Sequence, residues 1–218
     1  MEKEAVMVNP HPSPPPPAGE GMIALRPMTE EEFVAWCDED IKAEYVDGEV
    51  IVYTPVSRRH DDLTWFLGTL LKLFVEKNEL GNIHGPELQV RLRTGIRRVP
   101  DLLFIAKEHR DIVQDAHVEG APDLIIEIVS PDSEERDWRE KYWDYEKAGV
   151  KEYWVIDPYS QTMAMYRLGE QGRYRRVELK EGIYRSEAVP GFWLRPEWLW
   201  QEPLPNVLEI ARELGIIP

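Results

Sequence analysis

Residues 121–133 read APDLIIEIVSPDS. From Leu124 to Val129 every position is apolar except Glu127. Read as a strand with a period of two, Asp123, Ile125, Glu127 and Val129 share one face, and Leu124, Ile126 and Ile128 take the other. A strand apolar on both faces belongs at the centre of a covered sheet. Asp123 stands at its start, where it can reach water. Glu127 cannot, and burying an unpaired carboxylate costs several kcal/mol, so it has to be protonated, paired or bound to a metal.

The flanking segments supply the rest of the sheet and its cover. After the strand, SEERDWREKYWDYEKAG (133–149) has the pattern of a helix, with Ser130 or Ser133 as its cap and Gly149 as its stop. KEYWVID (151–157) is the next strand, ended by Pro158. Before it, VPDLLFIA (99–106) is a strand introduced by Pro100, and HRDIVQDAHVEGAP (109–122) reads as a loop. Further upstream, Leu63, Phe66, Leu67, Leu70, Leu71 and Phe74 recur at helical spacing within HDDLTWFLGTLLKLFVEKNELG (60–81), which Gly81 closes. Strands are expected at 82–84 and 87–93. Asp47–Gly48, between two alternating runs, marks a hairpin, and Thr29 caps a short helix before it. Residues 161–194 read as short antiparallel strands with glycine turns, and 205–214 as a terminal helix. This order implies an α/β fold: a mixed sheet flanked by helices, with an added N-terminal hairpin and C-terminal antiparallel strands.

Bulk properties narrow the function. The 218 residues suffice for one domain, taken as 22–218, after a proline-rich arm at 1–21 that cannot hold a helix or a central strand. A net charge of −15 argues against broad charge-driven binding to nucleic acid or anionic membrane. RLRTGIRR (91–98) is the local exception: either a contact to a phosphate backbone or a solvated hairpin tip. Cys37 is the one cysteine, so neither an internal disulfide nor a cysteine-rich zinc site can form, and a buried inert thiol is expected. No apolar run reaches membrane-spanning length and no signal peptide is visible, which points to a cytoplasmic protein.

Two further residues join Glu127. Val99, Asp101, Leu103 and Ile105 share a face, so Asp101 again puts an acid into an apolar strand. Two acids facing the same way from adjacent strands can hold one hard divalent cation, Mg²⁺ or Mn²⁺. On the helix, Trp138, Tyr142 and Tyr145 form the apolar stripe, and Lys141 lies at its edge, where its ammonium can point back over the sheet. Two carboxylates, a metal and a lysine suit phosphodiester hydrolysis. The plain alternative is a buried Glu127–Lys141 ion pair, with Asp101 capping a turn. Asp123 and Glu127 lie roughly 13 Å apart at strand rise, too far to share a metal.

These residues carry a resemblance. In order, AEYVDGEV (43–50), TPVSRRH (54–60), VPDLLFI (99–105), PDLIIEIVSPDS (122–133), DWREKYWDYEKAGVKEYWVIDP (137–158) and VPGFWL (189–194) resemble the Uma family, a bacterial group described as restriction endonucleases of the PD-(D/E)XK nuclease superfamily. The resemblance runs from about residue 28 to about 195. It implies a restriction-endonuclease-like domain and a metal-dependent endonuclease acting on DNA. Asp101 then matches the first acid and Glu127 the second, the two holding Mg²⁺ or Mn²⁺ with the carbonyl of Ile128. The lysine expected two residues after Glu127 is replaced by Val129, and Lys141 matches the helical lysine that the family carries instead. Glu44 matches an upstream acid that assists, and His60 a histidine at the start of the long helix.

Other readings compete. A catalytically inactive binding or regulatory module on the same fold is the main alternative, favoured by the charge and by Val129. A hydrolase of smaller phosphoesters is the third, although no glycine loop for a nucleotide triphosphate is present. His60–Asp61–Asp62 could ligate a metal, but acids at a helix N-terminus are the simpler reading. His84, His109 and His117 have no ligand spacing and are taken as surface or loop residues. Of Glu44 and Glu49, one is expected to face solvent. Glu87 and Gln89 are read as an exposed strand face. GFWLRPEWLW (191–200) is read as core or as an oligomer contact, consistent with a homodimer.

Overall fold

Asp47 and Gly48 both adopt positive φ, +45° and +105°, as the tight hairpin turn between two short strands demands. The computed structural model describes residues 27–37, 41–53, 55–131 and 133–218; the expected proline-rich arm at 1–21 lies outside them. Helix α1 (Glu30–Trp36) opens with a reciprocal capping box between Thr29 and Glu32. The hairpin is β1 (Ala43–Val46) and β2 (Glu49–Val52). Helix α2 (Arg58–Lys77) starts where the Ser57 side chain accepts from the His60 N–H, and it buries all six apolar residues of the predicted stripe.

The middle of the chain forms β3 (Gly81–His84), β4 (Gln89–Arg93), β5 (Ile96–Arg98), β6 (Leu102–Ala106), β7 (His117–Glu119) and β8 (Leu124–Ile128). The expected strand 99–106 therefore begins only at Leu102. The expected loop 109–122 is partly ordered structure: a 3₁₀ turn over Lys107–Ile112 precedes β7, which pairs in parallel with β4. Helix α3 (Lys141–Ala148) crosses from β8 to the parallel strand β9 (Glu152–Asp157) and stops at Gly149 in the left-handed conformation. Strands β10 (Thr162–Leu168), β11 (Tyr174–Arg176), β12 (Tyr184–Arg185) and β13 (Trp193–Leu194) are antiparallel to their partners, as expected. Helices α4 (Pro196–Leu199) and α5 (Val207–Glu213) complete the chain.

The strands sort into two main sheets and a small two-stranded one. One sheet has the order β2-β1-β5-β4-β7 and the other β11-β10-β9-β8-β6-β3. Strand β8 is central in the second sheet, and its two faces enter different cores, as the alternation requires. Leu124, Ile126 and Ile128 pack with α2, Phe192, Trp198 and α5. Ile125 and Val129 pack with Tyr145, Tyr153 and the first sheet's Val90 and Ile96. The segment 191–200 is thus largely core, with Phe192, Leu194, Trp198 and Leu199 all buried. Cys37 is half-buried and accepts from the Gln89 amide.

Gly85 ties the fold to Asp101. It has φ +129°, and a Cβ there would stand 2.2 Å from the Asp101 carbonyl oxygen and 3.0 Å from the Leu102 Cα. Neither neighbour is a flexible side-chain tip, so the backbone has to move. Gly85→Ala is expected to cost roughly 2–4 kcal/mol and to lower the melting temperature by roughly 5–15 °C. A thermal melt of the two proteins reads this directly.

Candidate active site between the two sheets

Pairing of β6 with β8 sets the site. Leu102 faces Ile126 and Leu103 faces Ile125, so continuing the antiparallel register by one residue puts Asp101 opposite Glu127. Both side chains are buried. The Asp101 carboxylate accepts the Ile128 N–H at 2.8 Å, and its same oxygen lies 3.1 Å from His60 Nε2. His60 is fixed in turn by Thr64, whose hydroxyl donates to the His60 carbonyl at 2.9 Å and lies 3.5 Å from its Nδ1. The first turn of α2 therefore anchors Asp101.

Glu127 meets α3. Tyr145 donates to one of its oxygens at 2.6 Å, and the Lys141 ammonium lies 2.8 Å from the other. Lys141 is only 2 % exposed. Its ammonium also stands 3.0 Å from Asp137 and 3.5 Å from Glu44. A single π-helical turn, Arg136–Glu140, widens the helix before Lys141, a distortion common at functional sites. The expected serine cap is not made: the Ser133 hydroxyl donates to the Asp137 carboxylate instead of accepting a helix N–H.

Glu44 brings in the first sheet. It is fully buried on β1 and accepts from Arg98 at 2.8 Å and from the Val99 N–H at 3.0 Å. Arg98 also donates to Asp144 at 2.5 Å. Glu49 is the exposed member of the hairpin pair.

Of four buried carboxylates, Glu44, Glu127 and Asp137 pair directly with Lys141, Glu44 also with Arg98, and Asp101 with His60. The consequences differ by position. Glu44 is desolvated, but Lys141, Arg98 and the Val99 N–H more than offset this and hold its carboxyl at about 2. Asp101 is also held below its usual range, since His60, Lys141 and the Ile128 N–H outweigh burial. Glu127 goes the other way. Burial pushes it up to about 8, and repulsion from Asp137, Asp101 and Glu44 adds to that against the pull of Lys141. Lys141 itself stays charged, because the surrounding carboxylates overcome its desolvation.

The structure brings together Asp101, Glu127, Lys141 and Glu44, and adds His60 beside Asp101. The Ile128 N–H, rather than its carbonyl, is what contacts Asp101. Asp137, Arg98 and Tyr145 escaped the sequence reading as site residues. Asp137 and Tyr145 stand four residues either side of Lys141, a helical spacing that could have flagged them.

Several expectations are corrected. Asp123 does not reach water: it is buried, accepts the Ala106 N–H at 2.8 Å, and pairs with His109 at 2.9 Å and Lys151 at 2.7 Å. His84 and His117 lie in strands β3 and β7 rather than in loops. Gln89 is half-buried rather than exposed. RLRTGIRR is not a free basic tip, since each arginine is matched by an acid: Arg91 and Arg97 by Glu30, Arg93 by Asp47, and Arg98 by Glu44.

The donors include carboxylate oxygens, the ligand type that a hard divalent ion prefers. Among the described residues, no three His, Cys, Asp or Glu side chains are gathered into a ready metal cage. The Lys141 ammonium stands among the acids instead. Two protein carboxylates with waters completing the shell remain compatible with Mg²⁺, which keeps several of its waters.

Comparison with known proteins agrees with the geometry. The profile of the Uma2 family, described as "Putative restriction endonuclease", matches residues 30–197, and the chain belongs to that family. A solved structure from Anabaena variabilis ATCC 29413, described as "a putative nuclease belonging to DUF820", shares the fold with a TM-score of 0.67. The identity is 21 %, over 80 % of this chain and 98 % of that one. No curated protein matches the chain. No helix among the described residues is long and apolar enough to cross a membrane.

The raised Glu127 carboxyl gives a pH prediction. Because its folded value of about 8 exceeds the ordinary 4.5, its contribution to stability is complete below 4.5 and is lost as pH rises toward 8. Glu127→Gln keeps the shape and cannot ionise. Between pH 5 and 8 the wild type is expected to lose on the order of 3 kcal/mol relative to Glu127→Gln. Urea denaturation at stepped pH measures the difference.

Proposed function

We propose that this member of the Uma2 family is a metal-dependent endonuclease that hydrolyses phosphodiester bonds in DNA, with Mg²⁺ or Mn²⁺ as cofactor. The observation that carries the reading is the register-enforced opposition of Asp101 and Glu127, with the Lys141 ammonium 2.8 Å from Glu127. Asp101 and Glu127 would hold the ion, helped by the carbonyl of Ile128. The chemistry such an ion would supply when bound is polarisation of the phosphate and acidification of a water.

The chain's own residues account for the rest. Lys141 keeps its charge although its side chain is buried, and a cation at low dielectric stabilises developing negative charge far better than it would in solvent. Glu44, ionised and gripped by Arg98, acts as a positioning residue that holds the ammonium over Glu127. His60 fixes the Asp101 carboxylate and Tyr145 fixes that of Glu127. With a carboxyl at about 8, Glu127 exchanges its proton near neutral pH.

A second reading, a catalytically silent binding module, has one observation in its favour. The Lys141 ammonium already contacts Glu127 and His60 already engages Asp101, so both carboxyls have partners without a metal.

Incubation with supercoiled plasmid and Mg²⁺ or Mn²⁺ separates the two. The nuclease reading predicts nicking by the wild type, with Glu127→Gln and Lys141→Met slower by about 10²–10³. Circular dichroism checks that each variant is folded. A folded wild type that leaves the plasmid intact with both ions supports the silent module. Equal nicking by wild type and variants assigns the activity elsewhere.

A further inference from the structure

The buried phenol hydroxyls around this site have partners. Those of Tyr45, Tyr145, Tyr153, Tyr174 and Tyr184 donate to Met28, Glu127, Asp137, Val150 and Met163. Tyr53 is the exception. Its hydroxyl is shielded from solvent yet has no hydrogen-bond partner among the described residues. Leaving a buried donor unmade is costly, and such groups in a folded protein call for an explanation.

The surroundings of Tyr53 supply one. Its ring lies 5.9 Å from the Lys141 ammonium, 5.4 Å from the Arg136 guanidinium and 5.5 Å from the Lys42 ammonium. Lys42 makes no ion pair with a carboxylate among the described residues. Tyr53 and Lys42 are half-buried, whereas Glu44, Glu127, Lys141 and Arg136 are buried, so these two form the outer part of the cluster. Burial and the nearby Glu44 and Glu127 keep the phenol protonated well above neutral pH, leaving it a donor. An oxygen-rich anion approaching from the Lys42 side would meet the Lys42 ammonium and one unused O–H, with Arg136 and Lys141 behind them and the carboxylates of Glu44, Glu127 and Asp137 drawn onto Lys141.

We propose that Tyr53 is a substrate-binding residue whose hydroxyl donates to a non-bridging oxygen of the phosphodiester, with Lys42 and Arg136 flanking it. This rests on the nuclease reading above and adds the group that receives the phosphate. It also explains why the donor is unsatisfied in the free protein: its acceptor arrives with the substrate.

Tyr53→Phe removes only the hydroxyl. The test compares it with the wild type in three measurements: plasmid cleavage in Mg²⁺ under single-turnover conditions, Mg²⁺ affinity, and melting temperature. The expected result is cleavage slower by about 10- to 100-fold, the worth of a hydrogen bond to a charged acceptor. Mg²⁺ affinity is expected to stay unchanged, and the melting temperature to stay equal or rise. Cleavage equal to wild type overturns the Tyr53 assignment and leaves the nuclease reading intact. A melting temperature several degrees lower also overturns it, by giving the hydroxyl a structural partner. No cleavage by the wild type overturns both.

Discussion

One ammonium group, that of Lys141, serves three buried carboxylates. Glu127, Asp137 and Glu44 come from a central strand of one sheet, from the π-helical turn and from strand β1 of the other sheet. The ammonium offsets the repulsion among these acids, and breaking a buried pair by removing one partner costs about 3–5 kcal/mol. In the nuclease reading, the charge that joins the sheets also serves the chemistry. Arg98 makes a similar link further along the same helix, joining Glu44 to Asp144 on α3.

That arrangement leaves Glu127 as the frustrated member. Glu44 has the Val99 N–H and an arginine that it shares with Asp144, and Asp101 has a histidine and a backbone N–H. Glu127 has a tyrosine and a share of one lysine, and it faces three other acids. A fold selected only for stability would place an apolar residue there, because buried ion pairs are often no better than well-packed hydrophobic side chains. The strain is explained if the site is completed by something positive from outside. The same logic applies to the unmade hydrogen bond of Tyr53, which is completed by something negative.

Much of this was legible in the sequence, for identifiable reasons. Glu127 and Asp101 stand out because each interrupts an otherwise apolar strand, and a period of two then fixes which way they face. Lys141 stands out because it borders an aromatic stripe at helical spacing. Glu44 was reached through the family resemblance; its own hairpin offered two glutamates and no way to choose between them. Other features were hidden because they depend on contacts between distant segments. The pairing of each arginine in RLRTGIRR with an acid from another element is one, the burial of Asp123 under His109 and Lys151 another. The π-turn that aligns Asp137 with Lys141 leaves no mark in the residue pattern, and strand β7 is too short to show a period. Tyr53 reads as one more aromatic residue at the end of a strand, since an unsatisfied hydroxyl is visible only when every neighbour is in place.

The central claim is that Glu127 and Asp101 form a site awaiting a divalent cation. Calorimetric titration of the intact protein with Mg²⁺ and with Mn²⁺, repeated near pH 7 in buffers of different ionisation enthalpy, tests it most directly. The account predicts about one site per chain, net proton release on binding because Glu127 carries a proton at that pH, and loss of both signals in Glu127→Gln. Absence of binding to the intact protein, or binding that persists unchanged in Glu127→Gln, would contradict it and make the Glu127–Lys141 contact a structural ion pair.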